Sequence, residues 1–237
     1  MPDHIVSAYD AELQDLRRSI SEMGGIAEKM MDDSITALVR RDTPLAQVVI
    51  AADSRLDILQ RDIEERAILM LVRRQPMAID LRDTVSAIRI SGDLERIGDL
   101  AKNVAKRVLA VSGQFQPQKI VTGVQHMSDL VLEQLKDVLD AYAQQNVSSA
   151  LDVWKRDGAI DSLYTSLFRE LLTYMMEDPR NITFCTHLLF CAKNIERIGD
   201  HTTNIAETVH YLVTGQNLTM ERPKNDRSSY ETAEAGG

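Results

Sequence analysis

Apolar residues recur every three to four positions along most of the chain. Leu94, Ile97, Ala101, Val104 and Val108 fall on one stripe of a helix with 3.6 residues per turn, and Leu56, Leu59, Ile63 and Met70 fall on another. No segment sustains the period-two alternation of a half-buried strand. The stripes predict six helices, over roughly residues 5–41, 46–74, 78–111, 118–145, 148–177 and 181–213. Pro44, Pro76, Pro117 and Pro179 fall between them, where a helix should break. Thr43-Pro44 and Asp178-Pro179 read as helix starts with proline in the first turn. Gly113 and Gly215 read as helix ends. Gly24-Gly25 fall inside the first helix, where each glycine costs about 1 kcal/mol against alanine.

The pattern occurs twice. Glu95-Arg96-Ile97-Gly98-Asp99 returns as Glu196-Arg197-Ile198-Gly199-Asp200, 101 positions later. Asn103 then matches Asn204, Ala105 matches Ala206 and Val108 matches Val209. Earlier in each half the offset is 104: Met23 matches Met127, Ala46 matches Ala150, Asp53 matches Asp157 and Asp57 matches Asp161. A period this long is a duplicated domain, not a solenoid repeat of about 20–50 residues. Short links between long amphipathic helices make them antiparallel neighbours. The expected fold is all-α, two tandem three-helix bundles over residues 1–112 and 113–215, followed by a disordered polar tail over 216–237.

Composition narrows the function. The 237 residues are 44% hydrophobic, which is enough for a packed core, and only 5% aromatic, which argues against an all-β sandwich. Thirty-six acidic residues against 27 basic ones give a net charge of -9, the wrong sign for direct nucleic-acid binding. No apolar run approaches the roughly 20 residues of a membrane helix. Met1–Asp10 lacks the order of a signal peptide. Two cysteines, Cys185 and Cys191, lie six apart on different faces of one helix and should not bridge. These features predict a reduced, cytoplasmic protein with no membrane insertion.

The candidate chemistry is carboxylate chemistry. Glu95 and Asp99 are i and i+4, so they share a helical face, as do Asp53 and Asp57. Asp157 with Asp161, and Glu196 with Asp200, repeat both pairs. The Glu95 and Asp99 face lies nearly opposite the apolar stripe on the helical wheel, so it should point away from the core. One such pair is usually a solvated face. Two pairs on neighbouring helices, in each half, converge if those faces meet. A bound cation relieves that repulsion, and oxygen ligands suit magnesium, calcium, manganese or iron. Asn103 and Asn204, one turn on, are further candidate oxygen donors. Glu207 extends the stripe in the second half where the first has Lys106, which predicts a tighter second site.

Several other features carry less. Glu207-Thr208-Val209-His210 matches the Glu-x-x-His unit of di-iron bundles once, without its partner. The paired arginines Arg17-Arg18, Arg40-Arg41 and Arg73-Arg74 read as solvated ends with some acidic contacts. Gly98 and Gly199 sit inside helices at a propensity cost that close helix approach would justify. There is no Gly-rich phosphate loop, GxSxG or CxxC, and the five histidines form no paired motif.

Gln75-Pro76, Asp80-Leu81-Arg82 and Asp93-Leu94-Glu95-Arg96-Ile97-Gly98-Asp99 resemble the first signature of the PhoU family. Asn194-Ile195-Glu196-Arg197-Ile198-Gly199-Asp200-His201, with Asn204-Ile205-Ala206-Glu207, resembles its second. The likeness runs from about residue 5 to about 215. It implies two related three-helix bundles side by side. It also implies a cytoplasmic negative regulator of phosphate uptake and of the phosphate-starvation response. Such a protein would couple the ATPase of the phosphate ABC transporter to a sensor histidine kinase. The family's acidic motifs, linked to multinuclear metal sites, fall here on Asp53, Asp57, Glu95, Asp99, Asp157, Asp161, Glu196 and Asp200. The expected cofactors are therefore divalent or trivalent ions such as iron, manganese, magnesium or zinc. An apolar face left over on the bundles would support a homodimer. The competing expectation is a metalloenzyme, a hydrolase or oxidase using the same carboxylates.

Overall fold

The computed structural model describes residues 2–74, 79–113 and 118–220. Six helices follow in order: α1 (Pro2–Arg40), α2 (Thr43–Arg74), α3 (Ile79–Ala110), α4 (Gln118–Gln144), α5 (Val147–Glu177) and α6 (Ile182–Thr214). A single 3-10 turn, Pro179–Asn181, precedes α6, so Asp178-Pro179 opens that turn and not the long helix itself. No strand occurs among the described residues. The expected breaks at Pro76 and Pro117 lie outside them.

The two halves use the same local devices at matching positions. Arg41 and Gln145 end α1 and α4 with φ of 58° and 51°. Asp42 and Asn146 follow them and cap the next helix. The Leu45 amide donates to Asp42 Oδ1 at 2.9 Å, and the Ser148 amide donates to Asn146 Oδ1 at 3.0 Å. Each cap satisfies a backbone donor that the first helical turn leaves without an intrahelical partner. Replacing Asn146 by alanine is expected to cost about 1 kcal/mol of stability. A denaturant melt showing no loss would contradict the capping role.

α1, α2 and α3 form the first bundle, and α4, α5 and α6 form the second. The bundles meet through α3 against α6 and α1 against α4. Buried side chains from both halves make one continuous core, from Leu16, Ile20 and Met23 to Ile195, Ile198 and Val209. Gly24 lies at the α1–α4 contact, where an added Cβ would come within 2.7 Å of Leu139 Cδ2. It lets the two helices close up and leaves α1 unbroken. α3 therefore has neighbours α1, α2 and α6, and α6 has α3, α4 and α5. These two helices carry the repeated acidic motif, and little of their circumference is left for solvent.

α6 ends at Gly215, whose φ of 73° and amide bond to the Tyr211 carbonyl (2.8 Å) make a left-handed cap. Residues 216–220 of the expected tail are among the described residues. His210 Nδ1 lies 2.9 Å from the Gln216 carbonyl oxygen, and Leu218 packs on the core. Residues 221–237 lie outside the described residues. No described helix is long and apolar enough to cross a membrane.

Candidate functional site

In the first half, α2 presents Asp53 and Asp57, and α3 presents Glu95 and Asp99. The carboxylates converge: charge on Asp99, Asp57 and Asp53 acts on Glu95. Gly98 allows the approach. A Cβ there would lie 2.1 Å from Leu56 Cδ1 on α2. Between the helices sits a cation, Lys102, whose Nζ lies 2.5 Å from Asp53 Oδ2 and 2.5 Å from Asp99 Oδ1. Burial alone would lower the Lys102 pKa, but the hydrogen bonds it donates to Asp53 and Asp99 hold it above its ordinary value. Arg96 stands outside the cluster, 3.6 Å from Glu95 and 3.7 Å from Asp99. The Glu95 carboxyl is pushed up from its ordinary value, chiefly by burial and then by Asp99.

In the second half, α5 presents Asp157 and Asp161, and α6 presents Glu196 and Asp200. Three of these groups lie deeper, while Asp200 is half-buried like Asp99. Asp157 is 2% exposed, Asp161 4% and Glu196 6%. The expectation that the acidic faces point away from the packed interior is therefore corrected for this half. A helical wheel assigns one buried stripe, whereas α6 packs against three neighbours and its polar face closes against α5. The position of Lys102 is taken by Thr203, whose Oγ1 donates to Asp157 Oδ1 at 2.9 Å. Lys193 reaches Glu196 Oε2 at 2.9 Å from one turn earlier, with 42% of its side chain exposed and its ammonium over the Tyr164 ring. Burial pushes the Glu196 carboxyl up; Lys193 opposes this, and Asp200 and Asp161 add to it.

The remaining candidates have other partners. Glu207 Oε1 accepts a hydrogen bond from the Trp154 indole at 3.0 Å, and its counterpart Lys106 is exposed. Asn204 Nδ2 reaches Asp93 of the first half at 3.4 Å, while Asn103 is half-buried on α3. His201 Nδ1 also meets Asp93, at 2.8 Å, so Asp93 ties α6 to α3. The Glu-x-x-His match is held by Trp154 at one end and Gln216 at the other. Cys185 and Cys191 are buried free thiols.

Lys102 and Thr203 are the site residues that motif reading overlooked. Aligning the halves does display their difference, 101 positions apart. As the side chains stand, no three His, Cys, Asp or Glu groups among the described residues are disposed to hold an ion. The donor set still fits a hard cation: four carboxylates per half on two facing helices, with no sulfur and no imidazole among them. In the first half a protein cation already lies between two of them.

The PhoU domain model matches this chain twice, at residues 20–108 and 124–209. The chain is 60% identical over 226 residues to a phosphate-specific transport system accessory protein PhoU homolog of Rhizobium meliloti, covering 95% of each chain. It is 52% identical to the same-named protein of Caulobacter vibrioides, covering 95% of this chain and 98% of that one. The crystal structure of PhoU from Pseudomonas aeruginosa superposes with a TM-score of 0.84 at 40% identity, covering 88% of this chain and all of that one. The phosphate transport system regulatory protein PhoU from Streptococcus pneumoniae superposes with a TM-score of 0.81 at 28% identity, covering 90% of this chain and all of that one. These names are those of accessory and regulatory proteins, not of enzymes. Two copies of one domain, the same six-helix fold and near full-length identity to these proteins place the chain in the PhoU family.

Proposed function

We propose that this protein is an accessory regulator of phosphate transport that acts by binding other proteins. The observation that carries the reading is near full-length similarity to phosphate-specific transport accessory proteins, at 60% identity in the first case. In the finer reading it is a cytoplasmic adaptor that represses phosphate uptake and the phosphate-starvation response. Its partners are a sensor histidine kinase and the ATPase of the phosphate ABC transporter, and a homodimer belongs to the same reading. An adaptor of this kind must bind one state of each partner better than another, because differential affinity alone moves their equilibria.

Metal ions are the second element of the proposal. Asp157, Asp161, Glu196 and Asp200 would hold them in the second half, and Asp53, Asp57, Glu95 and Asp99 are the matching set in the first. A bound ion would supply positive charge that neutralises the carboxylates. Holding several carboxylates together inside protein is costly, since each loses water and repels the others. Asp157 and Glu196 stand ready on facing helices, held by Thr203 and Lys193 respectively. A hydrolase or oxidase reading finds no such support. Its one sequence motif, Glu207 with His210, is committed to structural partners.

Elemental mass spectrometry of untagged protein, purified without chelator, tests the metal reading. Stoichiometric metal is expected in the wild type. It should be lost from a folded variant carrying alanine at 95, 99, 196 and 200. No metal in either protein would remove the ion from the mechanism. Pull-down of the kinase and the transporter ATPase from the native host tests the adaptor reading. Failure to retain either one would sink it.

A further inference from the structure

We infer that Lys102 is a built-in cation that closes the first acidic cluster to metal, leaving ion uptake to the second cluster alone. The inference rests on the metal reading above and concerns how the two halves divide it.

The four carboxylates of the two clusters match one for one, and the halves differ in charge three positions after the last aspartate. There the first half has Lys102 and the second has Thr203. Lys102 is not a surface lysine paired along its own helix. Its Nζ touches Asp99 on α3 and Asp53 on α2, both at 2.5 Å, with the side chain only 18% exposed. It therefore lies between the two helices and satisfies one carboxylate from each. Its charge also stands within contact distance of any ion those oxygens would bind, and like charges that close repel strongly where solvent is thin. An ion entering here must first evict the ammonium from two charge-assisted hydrogen bonds, which are the stronger class of hydrogen bond.

Thr203 adds no charge. Its hydroxyl donates to Asp157 Oδ1 at 2.9 Å and to its own helix at the Gly199 carbonyl, 3.1 Å away. A carboxylate that accepts a neutral hydroxyl keeps its full negative charge and is held in one orientation, which suits an oxygen ligand. The lysine of the second half, Lys193, approaches from a different position, matching Gly92 of the first. Its side chain is 42% exposed against 18% for Lys102, so it can withdraw to solvent without unpacking the helices. The second cluster is also the more buried, with the Glu196 side chain 7% exposed against 18% for Glu95.

Exchanging the two residues tests this. The full chain, stripped with chelator, is melted with and without manganese, and bound manganese is counted after gel filtration. Three proteins are compared: wild type, Lys102→Thr and Thr203→Lys. Wild type is expected to bind at one half only and to melt higher with manganese. Lys102→Thr should melt lower than wild type in chelator, bind more manganese than wild type, and gain a larger metal-dependent rise. Thr203→Lys should melt as high as wild type or higher in chelator, and should lose both bound manganese and the rise. Thr203→Lys remains informative if Lys102→Thr fails to fold. Manganese content unchanged by Thr203→Lys would overturn the inference while leaving the metal reading intact. Binding by none of the three proteins would overturn both.

Discussion

Gly98→Ala is expected to destabilise the protein by about 1–2 kcal/mol, whereas Gly199→Ala should leave stability unchanged or raise it by up to about 1 kcal/mol. The two glycines occupy the same place in the repeated motif, yet the side chains that face them differ. A Cβ at position 98 would stand 2.1 Å from Leu56 Cδ1, and Leu56 is fully buried. It could be relieved only by repacking Leu56 or by parting α2 from α3. Overpacking of this kind costs about 1–3 kcal/mol, of which alanine's better helix propensity returns up to about 1 kcal/mol. At position 199 the facing residue is Ile160, equivalent to Leu56, and its nearest atom would lie 3.6 Å away, an ordinary contact. Denaturant melts of the two variants read the difference directly. A loss at 199 equal to that at 98 would mean that the glycines serve the backbone and not the packing. The change at 98 should reach the site as well. Parting α2 from α3 moves Asp53 away from Asp99, and Lys102 then loses its grip on one of them.

Neither thiol of the native protein should react with a thiol reagent at pH 7.5 on the time scale of free cysteine. For Cys191 the expected suppression is at least about a thousandfold, because the thiolate is the nucleophile and its population falls tenfold per unit of pKa. Burial pushes the Cys191 thiol up to about 12, and Cys185 is raised by the same cause. Both side chains are fully enclosed between α6 and its neighbours, so a reagent must also wait for α6 to open. Stoichiometric labelling is expected in denaturant. Rapid labelling of one thiol in native protein would mean that α6 opens locally at far less cost than global unfolding.

Most of the fold is legible in the sequence because its cues are local. The helix stripes, the proline and glycine breaks and the repeated Glu-Arg-Ile-Gly-Asp segment each act within a few residues. The all-α architecture and the duplication follow from them. The candidate site is legible only in part, because burial is a property of how many neighbours a helix has. Wheel geometry correctly separates Glu196 from the Ile195 and Ile198 stripe, but it cannot count neighbours. With α3, α4 and α5 all packed on α6, the face assigned to solvent is enclosed, and Glu196 is buried with it. Lys102 shows the same limit. Three positions after Asp99, it reads as an ordinary same-helix pair. Only the approach of α2, set by Gly98 and Leu56, brings Asp53 to its other side. Asp93 with His201 links the two halves across 108 positions, and no local pattern announces that contact.

The pairing of α3 with α6 and of α1 with α4 has a further consequence. Under the internal duplication each of these contacts maps onto itself, as the interface of a two-fold dimer does. A dimer of identical chains must carry the same residue at both equivalent positions, so a lysine gained on one side is gained on the other. Joining the halves in one chain removes that constraint. Position 102 and position 203 can then vary separately under a shared architecture. One fold thus holds two sites of common origin, free to acquire unequal charge without loss of the symmetry that packs them.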